Sequence, residues 1–460
     1  MEALKIPGLS VAVFDHGKLV WVKTYGVKEA GQKAPVTLDT LFQAGSISKP
    51  VAALAVLHYV QLGKFSLDEN INDQLISWKL PDNDFTKDQK DQKVTLRRLL
   101  SHTAGTTVHG FAGYAVGGKI PTLVQVLNGE PPANNLPIRV DMIPGTQFRY
   151  SGGGTVLVQQ MMIDQLKKPF PEIVRETVIK PLGLKNTTYE QPLPADRAAN
   201  AASGHRPNGK ALEGKWHIYP EIAPAGLWTT ASDLARIALE VSASKAGKSN
   251  KILSQDMTKQ MLTAQNGPVG LGFFVDPKTD QFGHDGANEG FQASLTAFSD
   301  SGSGIAIMAN SDNGMLLFNR LTESAAKEYK WSQYRAQPDP PFITLLLTAE
   351  LRGVPQALAL YSAMRADGPA SAYNPRDLNF VGYMMMRAGD SQAALKVFEE
   401  NVKIYPDDWN AFDSLAEAYM NAGRKQEAIA NYEKSLRMNP KNDNAVKMLK
   451  QLGVEWKPDK

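Results

Sequence analysis

The sequence predicts an α+β domain followed by an all-α helical-repeat domain, and three observations carry that expectation. β-rich runs lie near the start and return at 269–310, helical patterns fill the stretch between them, and everything after "RAQPDPPF" is helical in pattern and repeats. Strands at both ends of a helical middle fit one antiparallel sheet that uses both ends of the domain. At 460 residues the chain is too long for a single ordinary core. Two domains are expected, 1–335 and 336–460, because three prolines in four residues of "PDPP" suit a linker and cannot continue a helix.

Composition narrows the function classes. Apolar residues at 43% and charged ones at 21% describe a globular chain. A net charge of +3 is too small to argue for nucleic acid, and no apolar run reaches membrane-spanning length. With no cysteine there is no disulfide, thiol nucleophile or thiolate metal site. The seven histidines show no H-E-x-x-H or comparable spacing, so neither metal nor cofactor is expected. "MEALKIPGLSVAVF" enters a strand pattern within ten residues. Either the protein is cytosolic or a leader has been removed.

The elements follow in chain order. Leu9–Phe14 and Leu19–Tyr25 are strand runs joined by "DHGK", a hairpin signal. "FQAGSISKPVAAL" opens a helix apolar nearly all round, with Pro50 near its start. "TLRRLLSHTAG" is a short helix ended by a polar loop, in which His102 fixes the turn; His58, on the apolar helix, is a satisfied core histidine. "PGTQFRYSGGG" leads into the helix "TVLVQQMMIDQL", and "TTASDLARIALEV" carries Thr230 and Asp233 as a capping box. "VGLGFFVD", "FQASLTAFSD" and "SGIAIMAN" read as strands.

In the second domain, aligning Pro406 with Pro440 sets a 34-residue period. Leu378 then matches Phe412, Val381 Leu415, Gly382 Ala416, Ala394 Ala428 and Phe398 Tyr432. This register resembles the tetratricopeptide repeat over about Asn374 to Asn442, with a degenerate repeat at "LRGVPQALALY" and a closing helix at "NAVKMLKQLG". The resemblance implies a protein partner or packing against a neighbour.

The chemistry centres on Ser46 and Lys49. Three residues apart, they share one helical face. A serine hydroxyl is a poor nucleophile unless a base takes its proton, and a lysine can serve only if burial destabilises its ammonium. The apolar helix after them supplies that burial, and a helix start favours a developing oxyanion. "SASK", Ser242 to Lys245, has the same spacing in a polar, lysine-rich stretch and reads as solvated surface.

"SISK" at 46–49, "LLSHTAG" at 99–105, "PGTQFRYSGGG" at 144–154, "PAGLWTTASDLARI" at 224–237 and "GHDGANEGF" at 283–291 together resemble the serine β-lactamase and penicillin-binding-protein superfamily, nearest its class C-like branch. The resemblance implies a β-lactamase/transpeptidase-like antiparallel sheet flanked by helices. It implies Ser46 as acylated nucleophile, Lys49 as its proton-handling partner and Tyr150 as the phenol relaying a proton to the leaving group. His284-Asp285-Gly286 stands in place of Lys-Thr-Gly, and the N–H groups of Ala287 and Ser46 would form the oxyanion hole. Two residues depart from the pattern. Gly152 sits where the family usually has an asparagine that holds the substrate's amide and the lysine, and His284 in place of lysine makes a charge opposite a substrate carboxylate conditional on pH.

These features imply a peptidase, amidase or esterase acting on a small-molecule or peptide substrate such as a D-amino-acid peptide or an ester, with β-lactam hydrolysis at most a side activity. A scaffold that has lost turnover and works through its repeats is the alternative, and an acyltransferase a third. Exported relatives favour a periplasmic or envelope location if a leader was removed.

Overall fold

A computed structural model describes residues 1–87, 93–336 and 338–456. The chain divides into two compact units. One comprises Ile6–His205 and Gly209–Ala336; the other comprises Gln337–Lys460 with Met1–Lys5 and Arg206–Asn208. Gln337 of the expected linker lies outside the described residues.

The larger unit is built on a six-stranded antiparallel sheet. Strands β1 (Gly8–Asp15) and β2 (Lys18–Gly26) form the N-terminal hairpin. Its two-residue turn has positive φ at both His16 (49°) and Gly17 (77°), the twist a tight hairpin needs. Helices α1 (Ser48–Gln61), α2 (Leu96–Leu100), α3 (Gly152–Leu166), α4 (Ile222–Ala225) and α5 (Ala231–Lys245) occupy the middle. Strands β3 (Phe274–Asp276), β4 (Gln281–Asn288), β5 (Phe291–Phe298) and β6 (Ser303–Ala309) complete the sheet in the order β2-β1-β6-β5-β4-β3, and α6 (Met315–Glu328) follows. The first and last strands of the unit are thus neighbours, with Leu9 opposite Ala309. Central strand β6 is buried throughout and reads as a continuous apolar run, whereas edge strand β2 is part-exposed and mixed in composition.

Two local expectations change. Only Phe274–Asp276 of "VGLGFFVD" pairs as a strand: Gly272 has φ of +110°, and at Gly270 the backbone of Met261 lies where a Cβ would stand, 2.1 Å away. The run turns to bury Phe273 instead of extending. Thr230 caps α5 by accepting the N–H of Asp233 (3.2 Å), but the Asp233 carboxylate does not close a capping box. It accepts from the Asn186 N–H and the Thr187 hydroxyl, joining α5 to a neighbouring segment. Lys245 of "SASK" donates to Ser299 and pairs with Asp300, away from Ser242.

The second unit is helical. Helices α7 (Pro341–Arg352) and α8 (Val354–Asp367) precede the pairs α9 (Pro375–Arg387)/α10 (Ser391–Ile404) and α11 (Trp409–Asn421)/α12 (Lys425–Met438), closed by α13 (Asp443–Gln451). The matched positions Leu378, Val381, Ala394, Phe398, Phe412, Leu415, Ala416, Ala428 and Tyr432 are all buried. At Gly382 a Cβ would come within 2.6 Å of the Phe398 ring, so the small residue allows the close helix crossing. No helix among the described residues is long and apolar enough to cross a membrane.

Candidate active site

Ser46 stands in a single 3-10 turn, Gly45–Ile47, immediately ahead of α1. That turn lies against β4 so closely that only glycine fits on either side. A Cβ on Gly286 would fall 1.9 Å from the Ala44 carbonyl oxygen, and one on Gly45 would fall 2.5 Å from the Ala287 nitrogen. Gly45 also holds φ of +52°. The contact brings Ser46 and Ala287 to the wall of one cavity.

Lys49, in the first turn of α1, is 4% exposed. Its Nζ lies 2.9 Å from Ser46 Oγ and donates to the Pro224 carbonyl (3.1 Å) at the end of the short helix α4. Burial lowers its pKa to about 7. The Tyr150 ring covers it, with Nζ 4.9 Å from the ring centroid. Tyr150 is enclosed, which pushes its phenol up; Ser46 is close enough to pull the other way, short of a formed hydrogen bond, and Asp285 adds to the rise.

The segment carrying Tyr150 is held by the loop after α2. His102 accepts the Arg149 N–H at its carbonyl (2.8 Å) and the Ser151 N–H at Nδ1 (3.2 Å), and its ring packs on Tyr150 at 4.4 Å between centroids. It fixes the turn by hydrogen bonding, as its sequence context suggests. His58 is likewise bonded, through Nδ1 to the Ile252 carbonyl. The loop then crosses α3, where the Gly152 N–H donates to the His109 carbonyl (3.0 Å) and the Gly153 N–H to that of Val108.

This crossing explains Gly152. A Cβ there would lie 2.9 Å from the Phe111 ring and 3.2 Å from the His109 carbonyl oxygen, so the loop fills the space a side chain would enter. Ser46, Tyr150, His284, Gly286 and Ala287 come together around the cavity, with Lys49 behind them; Gly152 does not join its wall. Gly152→Asn is expected to lower stability by about 1–3 kcal/mol through overpacking, without raising nitrocefin hydrolysis above the wild-type rate. Thermal melting and a nitrocefin assay check both halves.

His284 differs from the sequence reading. It is 5% exposed, and burial first, then the nearby Lys49 charge, depress its pKa to about 3. The imidazole is therefore neutral across the physiological range and is no pH-conditional cation. Nδ1 lies 2.5 Å from the Asp285 carbonyl, which can only accept, so the proton sits on Nδ1 and Nε2 is a bare acceptor.

The cavity has a volume of about 620 Å³. Phe148, Phe274, Leu295 and Met315 give it apolar walls, and His109 and Asp285 add polar groups. Of these, His109 and Phe274 lie outside the family motifs and reach the site through long-range packing, whereas Phe148 stands within "PGTQFRYSGGG", two residues before Tyr150.

Glu221, beside α4, is fully buried, and its Oε2 has no hydrogen-bond partner. Burial raises its pKa to about 7. A carboxyl held above its unfolded value favours the fold when protonated, so stability should fall as pH rises from about 4.5 to 7. Glu221→Gln is expected to recover about 3 kcal/mol at pH 8 and little at pH 4, a difference that melting at the two pH values reads directly.

A helix-flanked antiparallel sheet with a serine and a buried lysine at the start of a central helix defines a β-lactamase and penicillin-binding-protein-like fold. The chain belongs to the beta-lactamase family, whose model matches residues 1–330, and a tetratricopeptide repeat model matches 409–442. It is similar to protein flp of Staphylococcus aureus (strain MW2), 22% identical over 66% of this chain and 60% of that protein. It is also similar to a beta-lactamase of Pseudomonas fluorescens, 29% identical over 51% of this chain and 59% of that one. The chain thus spans about 60% of the length of these curated relatives. Among solved structures, the octameric penicillin-binding protein homologue from Pyrococcus abyssi superposes with a TM-score of 0.59 at 19% identity, covering 76% of this chain and 79% of that one. At that identity the likeness establishes the fold.

Proposed function

We propose that this protein is a serine hydrolase that cleaves an amide or ester through an acyl-enzyme on Ser46. The observation that carries this reading is the 2.9 Å approach of a fully enclosed Lys49, with a pKa of about 7, to the Ser46 hydroxyl. In its neutral form the amine takes the Ser46 proton as Oγ attacks the substrate carbonyl. The developing oxyanion is received by the N–H groups of Ser46 and Ala287, which Gly286 allows to lie close together. Tyr150 gives its phenolic proton to the leaving amine or alcohol and takes back from Lys49 the proton that came from Ser46. Water then hydrolyses the acyl-enzyme and returns Ser46. Family membership supports the same two-step chemistry.

Peptidase, amidase or esterase activity is favoured over β-lactamase activity by two features. Gly152 offers no amide to a substrate, and His284 offers no cation to a β-lactam carboxylate. The tetratricopeptide unit supports a protein partner. Hydrolysis of p-nitrophenyl acetate and butyrate, nitrocefin and D-Ala-p-nitroanilide by wild type and Ser46→Ala tests this reading. Ser46-dependent cleavage of the esters or the anilide, with nitrocefin at least about tenfold slower, is the expected pattern. Preference for nitrocefin would replace it with β-lactamase activity, and inertness on all four would favour a scaffold working through its repeats.

A further inference from the structure

We propose that His109 is a second general base of the site, which takes a proton from the water that releases the acyl group from Ser46. This deepens the serine-hydrolase reading and rests on it.

The first observation is the state of the three imidazoles around the Tyr150 ring, those of His102, His109 and His284, at 4.4, 4.9 and 5.9 Å between centroids. His102 is buried, and its Nδ1 accepts the Ser151 N–H. His284 is spent on the Asp285 carbonyl at Nδ1, and its Nε2 is enclosed. His109 is exposed and lines the cavity with Ser46 and Tyr150, and among the described residues neither of its ring nitrogens takes a hydrogen bond. Partial burial first, then the Lys49 charge, lower its pKa from the ordinary histidine value, so at neutral pH the ring is uncharged and one nitrogen carries a free lone pair.

The second observation is the anchoring of its loop. The His109 carbonyl accepts the Gly152 N–H at 3.0 Å, and a Cβ on Gly152 would stand 3.2 Å from that oxygen. The absence of a side chain at 152 is thus what lets this loop reach the cavity wall and present an imidazole there.

The third observation is that the other groups are unsuited to receive a proton from water in the cavity. Lys49 stands behind Ser46, is held by Ser46 Oγ and the Pro224 carbonyl, and does not line the cavity. Enclosure pushes the Tyr150 phenol well up, which keeps it protonated. His284 faces Tyr150, so its neighbour Asp285 points to the other face of β4, where it accepts the Ser294 hydroxyl. Asp276 is engaged in its own turn, by the Lys278 N–H and the Thr279 hydroxyl. In the resulting step water oxygen bonds to the acyl carbon while its proton passes to His109. As the bond from the acyl carbon to Oγ breaks, Tyr150 gives its proton to Oγ and regains one from the His109 imidazolium, leaving free acid and free serine.

The test is p-nitrophenyl butyrate turnover by wild type, His109→Gln and His109→Ala, with Ser46→Ala as the blank. In both His109 variants kcat is expected to fall about 10²-fold with KM falling in step, so that kcat/KM stays within about twofold of wild type, because acylation does not use His109. A burst of p-nitrophenol and a butyryl adduct on Ser46, read by intact mass and peptide fragmentation, should accompany the slow phase. Added imidazole should release the adduct from His109→Ala. General damage to the site lowers kcat/KM as well and leaves no adduct. The proposal is overturned by a kcat within about threefold of wild type, by kcat/KM falling with kcat and no adduct, or by an adduct that imidazole does not release from His109→Ala, which would make His109 a support for Tyr150. Ser46-dependent cleavage that neither variant alters removes only the role of His109; no Ser46-dependent cleavage of the butyrate by wild type removes the serine-hydrolase reading with it.

Discussion

Ser46→Ala is expected to lower kcat/KM for every cleaved substrate by at least about 10⁴-fold while leaving the melting temperature within a few degrees of wild type. The size of the loss follows from the loss of the nucleophile itself: without Oγ no acyl-enzyme forms, and the remaining oxyanion donors can only polarise the carbonyl toward water. The small change in stability follows from the position. Ser46 lies at the cavity wall, in a turn held by the Ile47 N–H to the Ala44 carbonyl and by the Ser48 hydroxyl, which donates to the Gly45 carbonyl and accepts the Leu227 N–H. Removing the Ser46 hydroxyl disturbs none of these bonds. Steady-state kinetics and calorimetry on the same preparations separate the two effects.

Lys49→Met is expected to lower kcat/KM by about 10²–10⁴-fold, the usual range for a general base, and to raise stability by about 1–4 kcal/mol. The opposite signs share one cause. An amine enclosed in the core, with its pKa lowered to about 7, is penalised for holding a proton. Methionine fills a similar volume without that penalty. The same depression sets the pH profile of wild type. The neutral amine is the competent base, so kcat/KM should be lost as pH falls through about 7 and should level off above it. His284 adds no second limb in this range, since its pKa of about 3 keeps it neutral throughout. A profile flat from pH 5.5 to 8.5 would remove Lys49 from the role of base.

What could be read from the sequence was local. Three-residue spacing at a helix start becomes a 2.9 Å contact by helix geometry alone, and the burial of Lys49 follows from an apolar run visible in "PVAALAVL". The 34-residue register likewise became buried helix contacts, because each repeat packs against its neighbour. What escaped depends on where distant segments meet. His109 reaches Tyr150, at 4.9 Å between centroids, only because its loop crosses the start of α3, and Phe274 arrives from the far edge of the sheet. Gly152 was legible as a departure but not as a packing requirement, since Phe111, which fills its space, is 41 residues away in the chain. The neutrality of His284 was hidden for the same reason: enclosure by several segments, not its own motif, sets its pKa.

The central claim is covalent catalysis by Ser46, and intact-mass analysis after a fluorophosphonate probe tests it most directly. Wild type should gain one phosphonyl group, mapped by peptide fragmentation to Ser46, and Ser46→Ala should gain none. Labelling of both proteins alike, or of neither, would contradict the claim.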